Sequence, residues 1–357
     1  MCRTRTQTGK LGVVETAERA GGGTVSASGD LASHEGVDRA RKLSVRVAAV
    51  RRESTDILSF ELVDDQGGEL PPWSPGAHID VTLPSGLVRQ YSLCGRLDDR
   101  STYRIAVLRE PEGKASRELH TGEWAGAKLS AFGPKNHFRL VSARNYIFLA
   151  GGIGVTPILP MVATVSGQGV PWRMTYGGRS RETMAFLEEL GQWDHPGVDI
   201  VPESERGLPD LATLFASADD GTAVYACGPP AMLAAVRDAA AAASLLPGQV
   251  HVERFAPSAE VDDRQRVGDE AFEVELRRSG TVVQIPCGKT ILSVVREFCP
   301  DVVASCEEGF CGTCETRVLG GIPDHRDEIL TEEEQASNET MMICVGRAKS
   351  PRLVLDL

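Results

Sequence analysis

Four cysteines near the C-terminal end carry the most specific chemistry in this sequence. Cys306-x4-Cys311-x2-Cys314 is followed, 29 residues on, by Cys344, the plant-type spacing in which four thiolates hold two irons. A zinc site or unrelated thiols are the alternatives, but a structural zinc ribbon normally pairs two C-x2-C hooks, and only one is present. The loop CEEGFCGTC has glycine at 309 and 312, where bare backbone is expected to approach a cluster and aim N–H groups at sulfur, tuning its potential. A 2Fe-2S cluster of this kind passes one electron, at about −400 mV in plant-type ferredoxins. Cys2, Cys94, Cys287 and Cys299 read as small buried hydrophobes or incidental thiols.

Two glycine turns come next in specificity. Ile147 to Ala150, then Gly151-Gly152-Ile153-Gly154-Val155-Thr156-Pro157, reads as a buried strand, a turn and a helix with Thr156 as N-cap. Such a turn admits a pyrophosphate, and the helix end supplies N–H groups and a positive dipole, although glycine turns also serve packing. Val224-Tyr225-Ala226 leads into a second junction, Cys227-Gly228-Pro229-Pro230. Both fall at the carboxyl edge of a parallel sheet, where doubly wound folds bind ligands. Cys227 is then either a buried thiol or a neighbour of a nicotinamide. Arg179, Ser180 and Arg181 lie where the adenosine ribose belongs; the arginines suit a 2′-phosphate or simple solvation, leaving NADH against NADPH open.

A third set is Arg89-Gln90-Tyr91-Ser92-Leu93, read as a strand sending Arg89, Tyr91 and Leu93 to one face. Arg suits phosphate, Tyr a ring, and a Ser hydroxyl a heteroatom. R-x-Y-S-L, GGIGVTP, CGPP and C-x4-C-x2-C with a distant cysteine, in that order over about residues 43–357, resemble the phthalate dioxygenase reductase family, which includes vanillate O-demethylase reductases. The ending CVGRAKSPRLVLDL is also similar to the family's.

That resemblance implies an FMN barrel, an NAD(P)H domain and a C-terminal ferredoxin holding its cluster by Cys306, Cys311, Cys314 and Cys344. It places Arg89, Tyr91 and Ser92 on FMN, with Ser92 near flavin N5, Ala106 and Val107 along the isoalloxazine, and Gly113, Lys114 and Ser116 at the phosphate. Relatives usually have G-R-G-G-S there, and Gly113-Lys114-Ala115-Ser116 is one residue shorter. Gly151, Gly152, Gly154, Cys227, Gly228 and Pro229 serve the dinucleotide. Thr156 approaches both flavin and nicotinamide, and Phe255, ending Glu253-Arg254-Phe255, stacks on the flavin. Ser92, Thr156 and Cys227 are thus the expected catalytic positions. The implied route runs from NADH or NADPH through FMN and the cluster to a Rieske-type aromatic oxygenase or O-demethylase. A haem monooxygenase as acceptor, or a flavin and iron-sulfur redox sensor without turnover, are the alternatives.

The elements required are a barrel, a parallel sheet and a ferredoxin fold. Short β-like runs at Leu43-Val50, Ile57-Val63, His78-Leu83, Val88-Cys94, Tyr103-Leu108 and Lys128-Phe132 predict an antiparallel β-barrel. From Tyr146, strands at Tyr146-Ala150, Arg173-Tyr176, Val198-Val201 and Ala223-Ala226 alternate with helices at Pro157-Thr164, Glu182-Leu190, Leu208-Phe215 and Pro230-Ala243, predicting a parallel α/β sheet. Phe272-Arg277, Val282-Ile285 and a helix at Thr290-Phe298 open an α+β, β-grasp segment. The expected division is a flexible leader over 1–41, the FMN barrel over 42–143, the nucleotide domain over 144–256, a linker over 257–269 and the ferredoxin over 270–357.

Composition sets outer limits. With 38 basic and 50 acidic residues in 357, net −12 and no basic block, nucleic acid and anionic membrane are poor partners. Asn145 to Trp172 has no charge, but five glycines and prolines from Gly151 to Pro160 break it, so a membrane helix is not expected. No secretory signal is visible, nor a disulfide framework, which points to a cytoplasmic protein, expected as a monomer.

Overall fold

The computed structural model describes residues 40–193, 195–255 and 270–357. The expected leader lies outside the described residues except for its last two positions, and Arg41 already opens a strand. The expected linker over 257–269 lies outside them altogether.

Along β1 (Arg41–Ser54), Leu43, Val45 and Val47 are buried and the residues between them exposed, the period of a strand with one wet face. With β2 (Ile57–Asp64), β3 (His78–Thr82), β4 (Val88–Ser92), β5 (Thr102–Leu108) and β6 (Lys128–Lys135) it forms an antiparallel sheet ordered β4-β3-β6-β1-β2-β5. The sheet curls until its edges meet: beyond β4, the Cys94 N–H donates to the Arg104 carbonyl of β5 at 2.8 Å. Phe60, Leu62, Ile79, Val81 and Tyr103 fill the interior. One end is covered by α1 (Lys114–Thr121), buried through Ala115 and Leu119, where the sequence reading had only a phosphate loop.

The second sheet, ordered β11-β10-β7-β8-β9, is wholly parallel: β7 (Asn145–Gly151), β8 (Trp172–Gly178), β9 (Val198–Pro202), β10 (Thr222–Cys227) and β11 (Val250–Glu253). The order reverses between β7 and β10, so the two glycine turns leave the carboxyl ends of the strands flanking the switch point, where such sheets open a ligand crevice.

Helices α2 (Val155–Gly167), α3 (Leu187–Gln192), α4 (Glu203–Arg206), α5 (Leu211–Phe215) and α6 (Pro230–Ala242) accompany it. The helix expected over Glu182-Leu190 is not continuous. A tight turn at Arg181–Thr183 gives way to Met184, Ala185 and Phe186, which dive into the core, and Phe186 turns left-handed at φ 61° before α3 starts. Burial of those three side chains outweighs the helical continuation. The helix over Leu208-Phe215 likewise shortens, because Asp210 caps it through the Thr213 N–H.

The third sheet is mixed and ordered β13-β12-β18-β14-β16: β12 (Phe272–Leu276), β13 (Thr281–Ile285), β14 (Glu315–Gly320), β16 (Thr340–Met342) and β18 (Arg352–Leu355), with β15 (Pro323–Asp324) paired to β17 (Arg347–Ala348). Chain-distant β12 and β18 pair in parallel and α7 (Ile291–Val295) packs on the sheet, as a β-grasp requires. Thr290 caps α7, which ends at Val295 rather than Phe298. Helix α8 (Glu332–Ser337) precedes β16.

Candidate functional site

At the switch point the two turns are locked together. A Cβ on Gly154 would lie 2.2 Å from the Cys227 carbonyl oxygen, and one on Gly151 would lie 2.8 Å from Pro229 and 2.7 Å from Met232. These glycines, with Gly228, let the turns touch, while Gly152, at φ 55°, faces open space. Packing thus claims three of the four glycines expected at the pyrophosphate. Thr156 is not the N-cap: a 3-10 turn over Gly152–Gly154 runs straight into α2, Gly154 occupies the cap, and the buried Thr156 hydroxyl donates back to the Ile153 carbonyl at 2.9 Å. The same turn packs against β5, and Ala106 and Cys227 belong to one apolar cluster joining barrel and parallel sheet.

Cys227 is fully buried, and burial together with the neighbouring Glu253 holds its thiol well above the ordinary range. Cys227 and Glu253 stand opposite each other on β10 and β11. One oxygen of Glu253 is buried without a hydrogen-bond partner, and burial raises this carboxyl to about 8. The sequence reading passed over Glu253, although it sits in the quoted Glu253-Arg254-Phe255 run. Arg254 pairs with Glu328 across to the third sheet, and Phe255 is 41% exposed.

Along β4, Tyr91 and Leu93 pack on the barrel's apolar cluster, whereas Arg89 is exposed and donates to the Val88 carbonyl at 2.7 Å. Ser92 is buried with its hydroxyl unpartnered. A buried orphan hydroxyl is costly unless a ligand completes it, so Ser92 fits a flavin heteroatom. Ala106 and Val107 are buried on β5. Gly113 caps α1 without any side-chain bond, and the first turn of α1 has no acid, so its N–H groups and Lys114 suit a phosphate. Ser116 is less free: its hydroxyl accepts from the Glu110 N–H and donates to the Gly113 carbonyl, both at 3.1 Å.

The four thiols crowd into one place. Hydrogen bonds from Cys311 and Cys344 hold Cys306 below the ordinary thiol range; as donors, and by burial, Cys311 and Cys344 are pushed up, and Cys314 is lowered by Cys344. Among the described residues no three His, Cys, Asp or Glu side chains converge as for one metal ion, but each iron of a two-iron cluster takes only two thiolates. N–H groups of Cys306, Glu308 and Thr313 reach sulfur at 3.3–3.5 Å, and backbone of Phe310 and Cys344 also bonds to the Cys306 and Cys314 thiols. Gly309 and Gly312 supply left-handed backbone at φ 79° and 72°. A Cβ on Gly312 would also strike His137, 2.8 Å away.

The cysteine loop sits directly on the barrel. Gln90, between Arg89 and Tyr91, donates to the Cys311 carbonyl at 2.6 Å, and Ser305 donates to the Val88 carbonyl at 3.1 Å. The Thr313 hydroxyl donates to buried Asp80 at 3.0 Å, and Asp80 pairs with Lys135 at 3.1 Å. His78 and His137 stack at 5.7 Å beside them, both lowered by burial. No pattern in the sequence marks the Gln90–Cys311, Ser305–Val88 and Thr313–Asp80 contacts, since each joins residues more than 200 apart. On the other flank, Arg104 of β5 grips Glu189 of α3 at 2.8 and 3.1 Å, and Arg181 forks onto Glu205 at 3.0–3.2 Å.

Residues 274–349 match the model of the 2Fe-2S iron-sulfur cluster binding domain, and 148–238 that of the oxidoreductase NAD-binding domain. Over 318 residues the chain is 41% identical to phenoxybenzoate dioxygenase subunit beta of Ectopseudomonas oleovorans, covering 88% of this chain and 97% of that one. It is similar to the solved structure of phthalate dioxygenase reductase, described as a modular structure for electron transfer from pyridine nucleotides to [2Fe-2S], with a TM-score of 0.64 and 36% identity over 88% of this chain and 98% of that one. A type IV self-sufficient cytochrome P450 monooxygenase matches with a TM-score of 0.80 and 41% identity over 88% of this chain, which spans 41% of that protein.

Proposed function

Because the chain belongs to the phthalate dioxygenase reductase family, we propose that it serves as the reductase of a two-protein oxygenase, handing electrons to a Rieske-type aromatic oxygenase or O-demethylase. It is an NAD(P)H-dependent oxidoreductase that passes electrons through FMN and a 2Fe-2S cluster. FMN, when bound, accepts an electron pair and releases it singly, which a one-electron cluster needs.

The residues divide this work. Cys306, Cys311, Cys314 and Cys344 hold the cluster. Ser92 donates to the flavin, Ala106 and Val107 line its ring, and Arg89, Lys114 and the start of α1 take its phosphate. The carboxyl edge of the parallel sheet, open at Gly152, seats the dinucleotide so that the nicotinamide rests near buried Cys227. Buried thiol, strand and helix end exclude water there. Flavin barrel, nucleotide domain and ferredoxin correspond to 42–143, 144–256 and 270–357, joined through 257–269. Glu205 already neutralises Arg181, which supports NADH over NADPH as donor.

One observation carries this reading: β4, the strand expected to touch FMN, is bonded through Gln90 to the backbone of Cys311, so donor and acceptor sites share a wall. The test is anaerobic addition of NADH to the holoprotein. Flavin bleaching followed by cluster reduction is expected; flavin that bleaches while the cluster stays oxidised would overturn the route. Fast steady-state reduction of cytochrome c is expected too, and its failure would favour the sensor reading.

Among the described residues no helix is long and apolar enough to cross a membrane; a monomer in a reducing cytoplasm is part of this proposal. Similarity to the P450 fusion supports a haem monooxygenase as the alternative acceptor; comparing transfer rates to a purified Rieske oxygenase and a P450 separates the two.

A further inference from the structure

A hydrogen-bonded chain crosses the interface between barrel and cysteine loop: Cys311 Sγ, 3.2 Å to Thr313 Oγ1, 3.0 Å to Asp80 Oδ1, whose other oxygen lies 3.1 Å from Lys135 Nζ. Thr313 and Asp80 are buried, shielded from bulk water. As a cluster ligand Cys311 is a thiolate and has no proton to give. The Thr313 hydroxyl has one proton and two candidate acceptors, the Cys311 sulfur and the Asp80 carboxylate. Carboxylate is the stronger acceptor, and the geometry already gives it that proton.

We propose that Asp80, from the flavin barrel, holds the cluster's reduction potential low by claiming the Thr313 hydroxyl proton and so withholding a hydrogen bond from the Cys311 sulfur. Donors to cluster sulfur stabilise the extra electron and raise the potential. With the barrel docked the cluster is therefore a readier donor; undocking, or loss of Asp80, frees the hydroxyl to turn to sulfur. Asp80 and Thr313 are positioning residues, and Lys135 pairs with the other carboxylate oxygen of Asp80.

The inference rests on Cys311 as a cluster ligand. The test is a redox titration of the full holoprotein, following the electron paramagnetic resonance signal of the reduced cluster. Asp80→Leu with Lys135→Met removes the buried pair without changing net charge, an exchange that is often neutral for stability. It is expected to raise the cluster's electron affinity about tenfold, a shift of about 59 mV for one electron. Adding Thr313→Val should cancel that rise. Thr313→Val alone should leave the potential near wild type, as should Thr313→Ser. A rise that survives Thr313→Val, no rise at all, or a lowered potential in Thr313→Val alone would each overturn the proposal. The last measurement decides even if the paired variant fails to fold. A wild-type protein without the cluster signal would overturn the ligand assignment and this inference together; an intact signal with a failed cycle overturns this inference alone.

Discussion

Ser92 and Glu253 present buried oxygens with no hydrogen-bond partner among the described residues, one on β4 and one beside Cys227. Ser92→Ala should retain FMN and lose little or no stability, since an orphan hydroxyl disappears. Flavin reduction by NADH should slow about tenfold, equivalent to about 1.4 kcal/mol of barrier, measured by stopped-flow absorbance. Glu253 makes a thermodynamic prediction. Its carboxyl is raised in the folded state from 4.5 to about 8, so between those values the native protein keeps a proton that the unfolded chain has lost. Its contribution to stability is fully present below the unfolded value and is lost as pH rises through about 8. The melting temperature should therefore fall between pH 5 and 8, and Glu253→Gln should flatten that slope. Ser92 was legible because it sits inside a motif. Glu253 was printed in one, but only pairing of β10 with β11 reveals that its carboxylate faces a thiol.

The glycine turns belong to the scale of elements. Gly154→Ala would press a methyl group against the Cys227 carbonyl, forcing the two turns apart. Denaturant unfolding should show a loss of about 1–3 kcal/mol, typical of overpacking, with weakened NADH binding. Gly152→Ala meets nothing within 4 Å and should cost only its left-handed backbone, so the pair separates packing from ligand approach. Strands were readable because apolar alternation and β-branched runs are local signals; all six barrel strands are found close to their expected bounds. Helix ends were less so. Thr156 looked like a cap by residue type, yet the 3-10 turn starts the helix earlier, and Glu182-Leu190 breaks because burying Met184 to Phe186 decides the path. Strand β11 and helix α1 escaped the sequence reading, β11 being only four residues long and α1 lying where the resemblance had placed a phosphate loop.

At the scale of the whole molecule, charge is expected to govern the encounter with the acceptor. Residues 270–357 hold 16 acidic and 9 basic side chains, net −7, a charge that would steer a partner bearing a basic patch. Raising ionic strength from about 50 to about 500 mM, where screening becomes short-ranged, should slow electron delivery to the oxygenase while leaving cytochrome-free flavin reduction by NADH unchanged. A salt-independent delivery rate would remove the electrostatic account. By itself, the sequence determined the cysteine spacing of a 2Fe-2S domain, the two glycine turns, the order of barrel, parallel sheet and ferredoxin, and hence the family, because each is written in spacings of a few residues or in a local period. Tertiary structure alone decided how those parts are wired. That Gln90 meets Cys311, Asp80 reaches Thr313 and Arg254 holds Glu328 depends on the docking of separately encoded surfaces, and contacts between residues so far apart in the chain leave no pattern in a single sequence.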